Sequence, residues 1–190
     1  MRAKIYLFRH GVTQDNSEGV FSGWRDVPLN KKGIRDAKIV ALRLKDKKLT
    51  LAFQSDLIRS KQTLKEVLKF HKHVKVLTDS RIKERNYGLL QGKTHFDVVK
   101  KYGVDKYDGW HRGYENRPPK GESLKDVEVR VLEFIKSLIE TMRDEKVSVI
   151  VSAHGNSMRA FRRHFEKLSV SEMCTLYNDY ESVYEYSIEV

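Results

Sequence analysis

The most apolar run in the chain, Val147 to Ser152, lies between two segments of helical periodicity. It restricts the fold more than any other feature. A short continuous apolar run of this kind reads as a strand buried on both faces. Strands of that type belong to parallel sheets covered by helices on both sides, which predicts an α/β layer fold. The rest of the chain agrees. Lys4 to Phe8, Leu49 to Phe53, Val74 to Leu77 and Val183 to Ile188 read as further strands. Leu29 to Leu44 carries Ile34, Ala37, Val40, Ala41 and Leu44 at helical spacing, with Asn30 as its expected N-cap. Ser55-Asp56 is expected to cap a second helix reaching about Lys69, and another helix is expected over 157–166. Gly121-Glu122-Ser123 leads into a long amphipathic helix with Val127, Val131, Phe134, Ile135, Leu138 and Met142 on one face. The stretch from Thr78 to Pro119 is rich in Gly, Tyr and charge, with helical pieces near Phe96 to Tyr102 and Lys106 to His111. No linker or repeat divides the chain. The expected architecture is one domain over 1–190, a three-layer α/β/α sandwich with a mostly parallel central sheet.

At 190 residues a compact chain buries roughly 70% of its unfolded surface, so neither disulfides nor a structural metal is needed. The single Cys174 excludes an internal disulfide framework and a multi-cysteine zinc site. No apolar run approaches the roughly 20 residues of a membrane span. The stretch Met1 to Phe8 runs straight into Arg9 and His10, unlike a secretory signal. A cytoplasmic protein without a membrane partner is therefore expected. The charge is less ordinary, with 37 Lys and Arg against 26 Asp and Glu. A net charge of +11 favours an anionic partner without saying which. Nucleic-acid binding rests on that charge alone. A small phosphorylated substrate rests on the motifs below.

One internal echo locates the chemistry. Ile5 to Gly11 and Val149 to Gly155 both read as an apolar strand ending in His-Gly. In open α/β sheets ligands sit beyond the carboxyl ends of strands, at a topological switch point. If the two strands are neighbours, His10 and His154 project into one crevice. Arg9 adds a cation beside His10, and Arg59, early in the helix after the second strand, can reach the same place. Asn16, Asn156 and backbone donors around Gly11, Gly23 and Gly155 complete an anion cradle, and a helix starting near Asn156 points its positive end inward. Two histidines and two arginines around one point suit a phosphoryl group in transfer. Taken singly, each of these residues has an ordinary structural reading. Their joint occurrence, in order, on converging elements is what carries the inference.

In these blocks the sequence resembles the histidine phosphatase superfamily, and within it the cofactor-dependent phosphoglycerate mutases. Leu7 to Asn16 resembles the segment around the family's phosphorylated histidine. Phe21-Ser22-Gly23-Trp24-Arg25-Asp26-Val27-Pro28-Leu29 with Gly33, and Ser55 to Thr63, are similar to the next two blocks. Glu84 to Gly92 and Trp110 to Tyr114 with Pro118-Pro119 resemble the mutase branch in particular. Gly121 to Leu124 and Ala153 to Arg159 close the set. The resemblance implies a phosphoglycerate mutase-like fold in which His10 accepts the phosphoryl group. It implies that Arg9, Arg59 and His154 clamp its oxygens without a metal, and that Glu84 is the general acid and base. Ser22, Gly23, Arg85, Tyr87, His95, His111, Arg112, Gly155, Asn16 and Asn156 would bind substrate. The implied reaction interconverts 3-phosphoglycerate and 2-phosphoglycerate, primed by 2,3-bisphosphoglycerate. Hydrolysis of small phosphomonoesters is the alternative, and the resemblance leaves room for a homodimer.

The chain departs from the mutase pattern in three places. His95 stands where such mutases carry Lys, with Lys93 nearby as a substitute, and His111 stands where they carry the first of two Arg. The segment between Pro118-Pro119 and Gly121 is short, and a C-terminal tail is missing. Imidazoles that titrate near pH 6.5 would gain charge, and substrate affinity, as pH falls from about 8 to about 6. His71-Lys72-His73 reads as a solvated helix end. Tyr177, Tyr180, Tyr184 and Tyr186 read as packing and edge-strand residues.

Overall fold

The computed structural model describes residues 2–190. In chain order the elements are β1 (Arg2–Arg9), α1 (Gln14–Ser17), α2 (Lys31–Leu44), β2 (Leu51–Gln54), α3 (Ile58–Val67) and β3 (Lys75–Thr78). There follow α4 (His95–Tyr102), α5 (Val104–Arg112), α6 (Leu124–Glu145), β4 (Val149–Ala153), α7 (Gly155–Glu166), α8 (Val170–Thr175) and β5 (Val183–Glu189). The sheet order is β3-β2-β4-β1-β5, with β5 alone antiparallel. The apolar run read as the central strand is β4, buried along its whole length between β2 and β1.

Period-two alternation splits the core into two layers, as a sheet covered on both faces requires. Ile5, Leu7, Leu51, Phe53, Val149 and Val151 face α6 and α7, packing on Val127, Val131, Phe134, Leu138 and Phe161. The intervening Tyr6, Phe8, Ala52 and Ile150 face α2 and α3, packing on Val40, Ala41, Leu44, Leu64 and Val67. This is the three-layer α/β/α arrangement with a mostly parallel sheet. A third cluster, Phe21, Tyr87, Leu90 and Val98, closes the excursion between β3 and α6. Among the described residues no helix is long and apolar enough to cross a membrane.

Local signals place most boundaries. Asn30 caps α2 by accepting from Gly33 N, and Ser123 with Asp126 forms a capping box at α6. One cap differs from expectation. Helix α3 begins after Leu57, and its first free amide, Ile58 N, donates to Asp26 Oδ1 at 2.6 Å. Ser55 Oγ accepts from Leu57 N at 3.2 Å, just ahead of the helix, and also meets a side chain of the site. The short helices α1 and α8 carry too few turns to show periodicity and were not legible in the sequence.

Candidate active site

Parallel pairing of β1 and β4 puts Arg9 opposite Ala153, so His10 and His154 leave the sheet side by side. Their ring centroids are 4.8 Å apart and the planes are inclined by 53°. The turn after β1 is fixed by His10 N donating to Ala153 O and Gly11 N donating to Thr63 Oγ1, both at 3.0 Å. A Cβ on Gly11 would lie 2.2 Å from Gly33 O, so only glycine lets this turn press against α2.

The hydrogen bonds of His10 decide its tautomer. Nδ1 lies 2.8 Å from Gly11 O, and a carbonyl can only accept. Nδ1 therefore carries the proton and Nε2 keeps its lone pair. Burial, then the charges of Arg59 and Arg9, push the ring's pKa well below the ordinary histidine value. A neutral imidazole with a free lone pair is the nucleophilic form. His154 is fully buried and packs against His10 without lining the cavity wall. Its Nε2 lies 2.7 Å from Ser55 Oγ. The serine expected to cap a helix thus also meets a ring of the site. Burial, then Arg59 and His10, depress this ring as well.

Cations surround the pair. Arg59 is 1% exposed, held by Nη1 to Arg25 O at 2.8 Å and Nη2 to Gly23 O at 2.7 Å. Arg9 donates through Nη1 to Asn178 O at 3.0 Å, and its guanidinium carbon lies 3.9 Å from the Tyr180 ring centroid. Tyr180 therefore supports a site arginine, beyond the plain packing expected of it. Four buried atoms here, Arg9 Nε, Arg59 Nε, Ser22 Oγ and His154 Nδ1, have no partner within the protein. All four can donate. A phosphoryl group, with several acceptor oxygens and no donors when ionised, fits that set.

Glu84 enters from the loop after β3. It is 8% exposed, and its Oε1 accepts from Arg85 N at 2.7 Å, Asn156 N at 3.1 Å and Asn156 Nδ2 at 2.9 Å. The N-terminus of α7 thus holds the carboxylate in place. Its other oxygen, Oε2, lies 3.5 Å from where a Cβ on Gly155 would be, and Arg9 Nη2 lies 3.4 Å from the same point. A side chain at Gly155 would press on both groups.

Apart from His154, these groups line one cavity of about 160 Å³. Arg9, His10, Arg59 and Glu84 form its floor with Asn16, Ser22, Gly23, Gly155 and Asn156. Tyr87, His95 and His111 line it too, the last two with ring centroids 4.9 Å apart and both packed on Phe21. Two expected substrate-binding residues do not line it. Arg85 is fully buried, and its guanidinium is spent on Glu122 O at 2.7 Å and Asn116 O at 2.8 Å, tying down the short loop before α6. Arg112 is exposed at the end of α5, outside the lining. Lys93 is also absent from the lining.

The sequence reading missed Arg159, Tyr177 and Asn178, which line the cavity. Arg159 follows Asn156 by three residues in α7, so helical spacing already places both on one face. It donates from Nη1 to Asn156 Oδ1 at 3.2 Å and from Nε to Leu176 O at 2.8 Å. Tyr177 and Asn178 follow α8 without a periodic signal, and only the tertiary fold returns them to the site.

Burial also corrects the expected titration. It lowers His95, and together with His95, Arg112 and Arg159 it pushes His111 down to about 3. In the unliganded chain His111 therefore stays neutral between pH 8 and pH 6, and burial disfavours the charged form of His95, so the free site offers less titratable charge than the sequence suggests. Stability should respond instead. In the unfolded chain His10 and His154 titrate near pH 6.5, whereas in the folded chain their pKa values are depressed. Below about pH 6.5 the unfolded state takes up protons that the native state refuses, so stability falls with pH. The slope approaches about 1.4 kcal/mol per pH unit for each such ring. Thermal melts at pH 7.5, 6.5 and 5.5 should show a falling midpoint. A midpoint that is flat or rises toward pH 5.5 would mean that these rings protonate in the folded protein.

Comparison with known proteins agrees with this geometry. Over 171 residues the chain is 38% identical to a phosphoglycerate mutase of Schizosaccharomyces pombe, covering 87% of this chain and 80% of that protein. A 2,3-bisphosphoglycerate-dependent phosphoglycerate mutase of Methanococcus vannielii is 35% identical, covering 92% and 86%. The fold superposes with a TM-score of 0.84 on an alpha-ribazole phosphatase of Shigella flexneri at 23% identity, covering 98% of this chain and 90% of that one. The model of the histidine phosphatase superfamily (branch 1) matches residues 5–189. With its paired strand-end histidines, its buried arginines and a family match along almost its whole length, the chain belongs to the histidine phosphatase superfamily and is an enzyme.

Proposed function

We infer that the protein is a phosphoglycerate mutase, interconverting 3-phosphoglycerate and 2-phosphoglycerate through a phosphohistidine at His10. The observation that carries the reading is the pairing of a neutral, lone-pair-bearing His10 Nε2 with Glu84 and two separate cationic poles. Arg9 and Arg59 flank His10, while Arg159 lies among Tyr87, Asn156 and His111. A bisphosphorylated intermediate needs cations at both ends. The two named mutase relatives support the same reading.

Once charged, His10 gives its phosphoryl group to the free C2 hydroxyl of 3-phosphoglycerate. It then takes the C3 phosphoryl group of the bisphosphorylated intermediate onto Nε2 and leaves 2-phosphoglycerate. Arg9, Arg59 and Ser22 meet the oxygens in both transfers. With the Ser55 hydroxyl donating to Nε2 of His154, His154 Nδ1 carries a proton and donates as well. Glu84 takes the proton of the attacking C2 hydroxyl and returns it to the C3 oxygen when its phosphoryl group leaves. Fixed donors aimed at developing charge stabilise the transfer without reorganising. The same buried donors fit 2,3-bisphosphoglycerate as primer: Arg9, Arg59 and Ser22 would hold one phosphate and Arg159 the other end. It would supply the phosphoryl group that first charges His10. A coupled assay for 2-phosphoglycerate, with and without 2,3-bisphosphoglycerate, tests the reading. Activity that depends on the primer is expected. Release of inorganic phosphate with no 2-phosphoglycerate would overturn it.

One observation favours hydrolysis as a second activity. The wall where mutases carry permanent charge holds the neutral rings of His95 and His111, which grip a second anion more weakly. His111→Arg should therefore raise the ratio of mutase to phosphatase turnover by about tenfold, the scale of one partly desolvated charge contact. An unchanged ratio would show that His111 makes no contact with substrate. Exhaustive EDTA treatment is expected to leave turnover undiminished, because arginines supply the positive charge. A large loss restored by Mn²⁺ or Mg²⁺ would contradict the mechanism.

A further inference from the structure

We propose that His10, Glu84 and His154 form an inhibitory site for Zn²⁺, held by His10 Nε2, His154 Nδ1 and one oxygen of Glu84. The three residues are all buried, and they offer one ligand atom each within 4.8 Å of one another. They are the metal-capable group found among the described residues. Two imidazoles and a carboxylate are a donor set suited to zinc.

The outer hydrogen bonds orient His10 for metal and allow His154 the tautomer that a metal needs. Gly11 O takes the Nδ1 proton of His10 and leaves Nε2 with its lone pair. On His154, Nε2 meets Ser55 Oγ, while the buried Nδ1 has no protein partner. Ser55 Oγ can donate to Nε2, as in phosphoryl transfer, or accept from Nε2–H; zinc selects the second arrangement, in which Nδ1 presents a lone pair. An imidazole whose second nitrogen is hydrogen-bonded is the usual form of a metal ligand. Glu84 is held in position by Arg85 N and Asn156.

Two features limit affinity. Zinc–nitrogen bonds of about 2.1 Å put ligand atoms about 3.4 Å apart, so the three groups, now within 4.8 Å, must close by up to about 1.4 Å. Arg9 and Arg59 stand beside the site and repel a dication. Binding is therefore expected near 1 µM rather than in the nanomolar range. Occupancy blocks the lone pair that attacks phosphorus, so inhibition is competitive with the phosphorylated substrate.

The test uses the full chain and Zn²⁺ or Co²⁺ alone. Titration against a chelating dye should give one zinc per chain. At about 1 µM affinity, roughly 10 µM free Zn²⁺ should raise the apparent KM about tenfold without changing kcat, and EDTA should reverse it. Co²⁺ should give a visible absorption band that is lost in His154→Gln and Glu84→Gln, each checked for folding by circular dichroism. If Glu84→Gln does not fold, Glu84→Asp replaces it and should weaken binding. The double variant His71→Asn, His73→Asn should bind as the wild type does. Binding retained in the site variants, loss in the surface double variant, or inhibition that is not competitive would each overturn the proposal. Zinc binding to the resting enzyme does not depend on which phosphorylated compound is turned over. Its failure and a failure of the mutase reading are therefore separate results.

Discussion

His10→Ala is expected to abolish phosphoryl uptake and lower kcat by about 10⁴-fold or more, the scale of removing a covalent nucleophile. The reason is local. Nε2 of His10 is the lone pair exposed to the Arg9–Arg59 cradle, and the neighbouring ring cannot replace it. His154 sits fully buried behind, with Nε2 against Ser55. Brief incubation of the wild type with 2,3-bisphosphoglycerate should give an acid-labile, alkali-stable phosphoprotein, and the variant should give none. Since the ring is neutral well below its ordinary titration range, labelling should not decline between pH 8 and pH 6.5. Label retained on the variant, or found on serine or aspartate, would show that another residue is the nucleophile.

Glu84→Gln should lower kcat by about 10²-fold or more while KM changes modestly, the pattern of a proton carrier. The substitution suits this test because its geometry can survive. A glutamine carbonyl can take the three donors now on Oε1, namely Arg85 N and both nitrogens of Asn156. The amide NH₂ then replaces Oε2 beside Gly155 and Arg9 and cannot exchange a proton. If KM rises while kcat holds, Glu84 anchors the start of α7 or binds substrate, and the proton carrier lies elsewhere. Single-turnover measurement would separate the chemical step from product release.

Both predictions rest on residues that were readable before any coordinates. Arg9-His10-Gly11 and Ala153-His154-Gly155 each follow an apolar run, and a strand buried on both faces must end near a crevice when helices cover it. Periodicity identified the long elements because one face of each is buried, and that is a property of spacing alone. It identified α2, with Asn30 as its cap, and α6, and it marked β4 as the most buried strand. Arg159 was legible by the same spacing rule, three residues after Asn156 on one helix face.

Tertiary structure alone decided the rest, because contacts between distant segments depend on register and loop closure. Insertion of β4 between β2 and β1 places the two histidines in contact, and no local signal orders the strands. Ser55 reads as a helix cap next to Ile58, yet it also serves His154, which is 99 positions away. Arg85 and Arg112 have the same chemistry in sequence. The fold buries the first under the loop before α6 and leaves the second in solvent, so neither lines the cavity. His111 looks titratable in the sequence. Packing against Phe21, His95 and Tyr107 removes it from water and fixes it as neutral. Residue types and spacing thus determined which chemistry the chain carries. Desolvation and register, which exist only once the layers have packed, determined which of those groups meet and what charge each one holds.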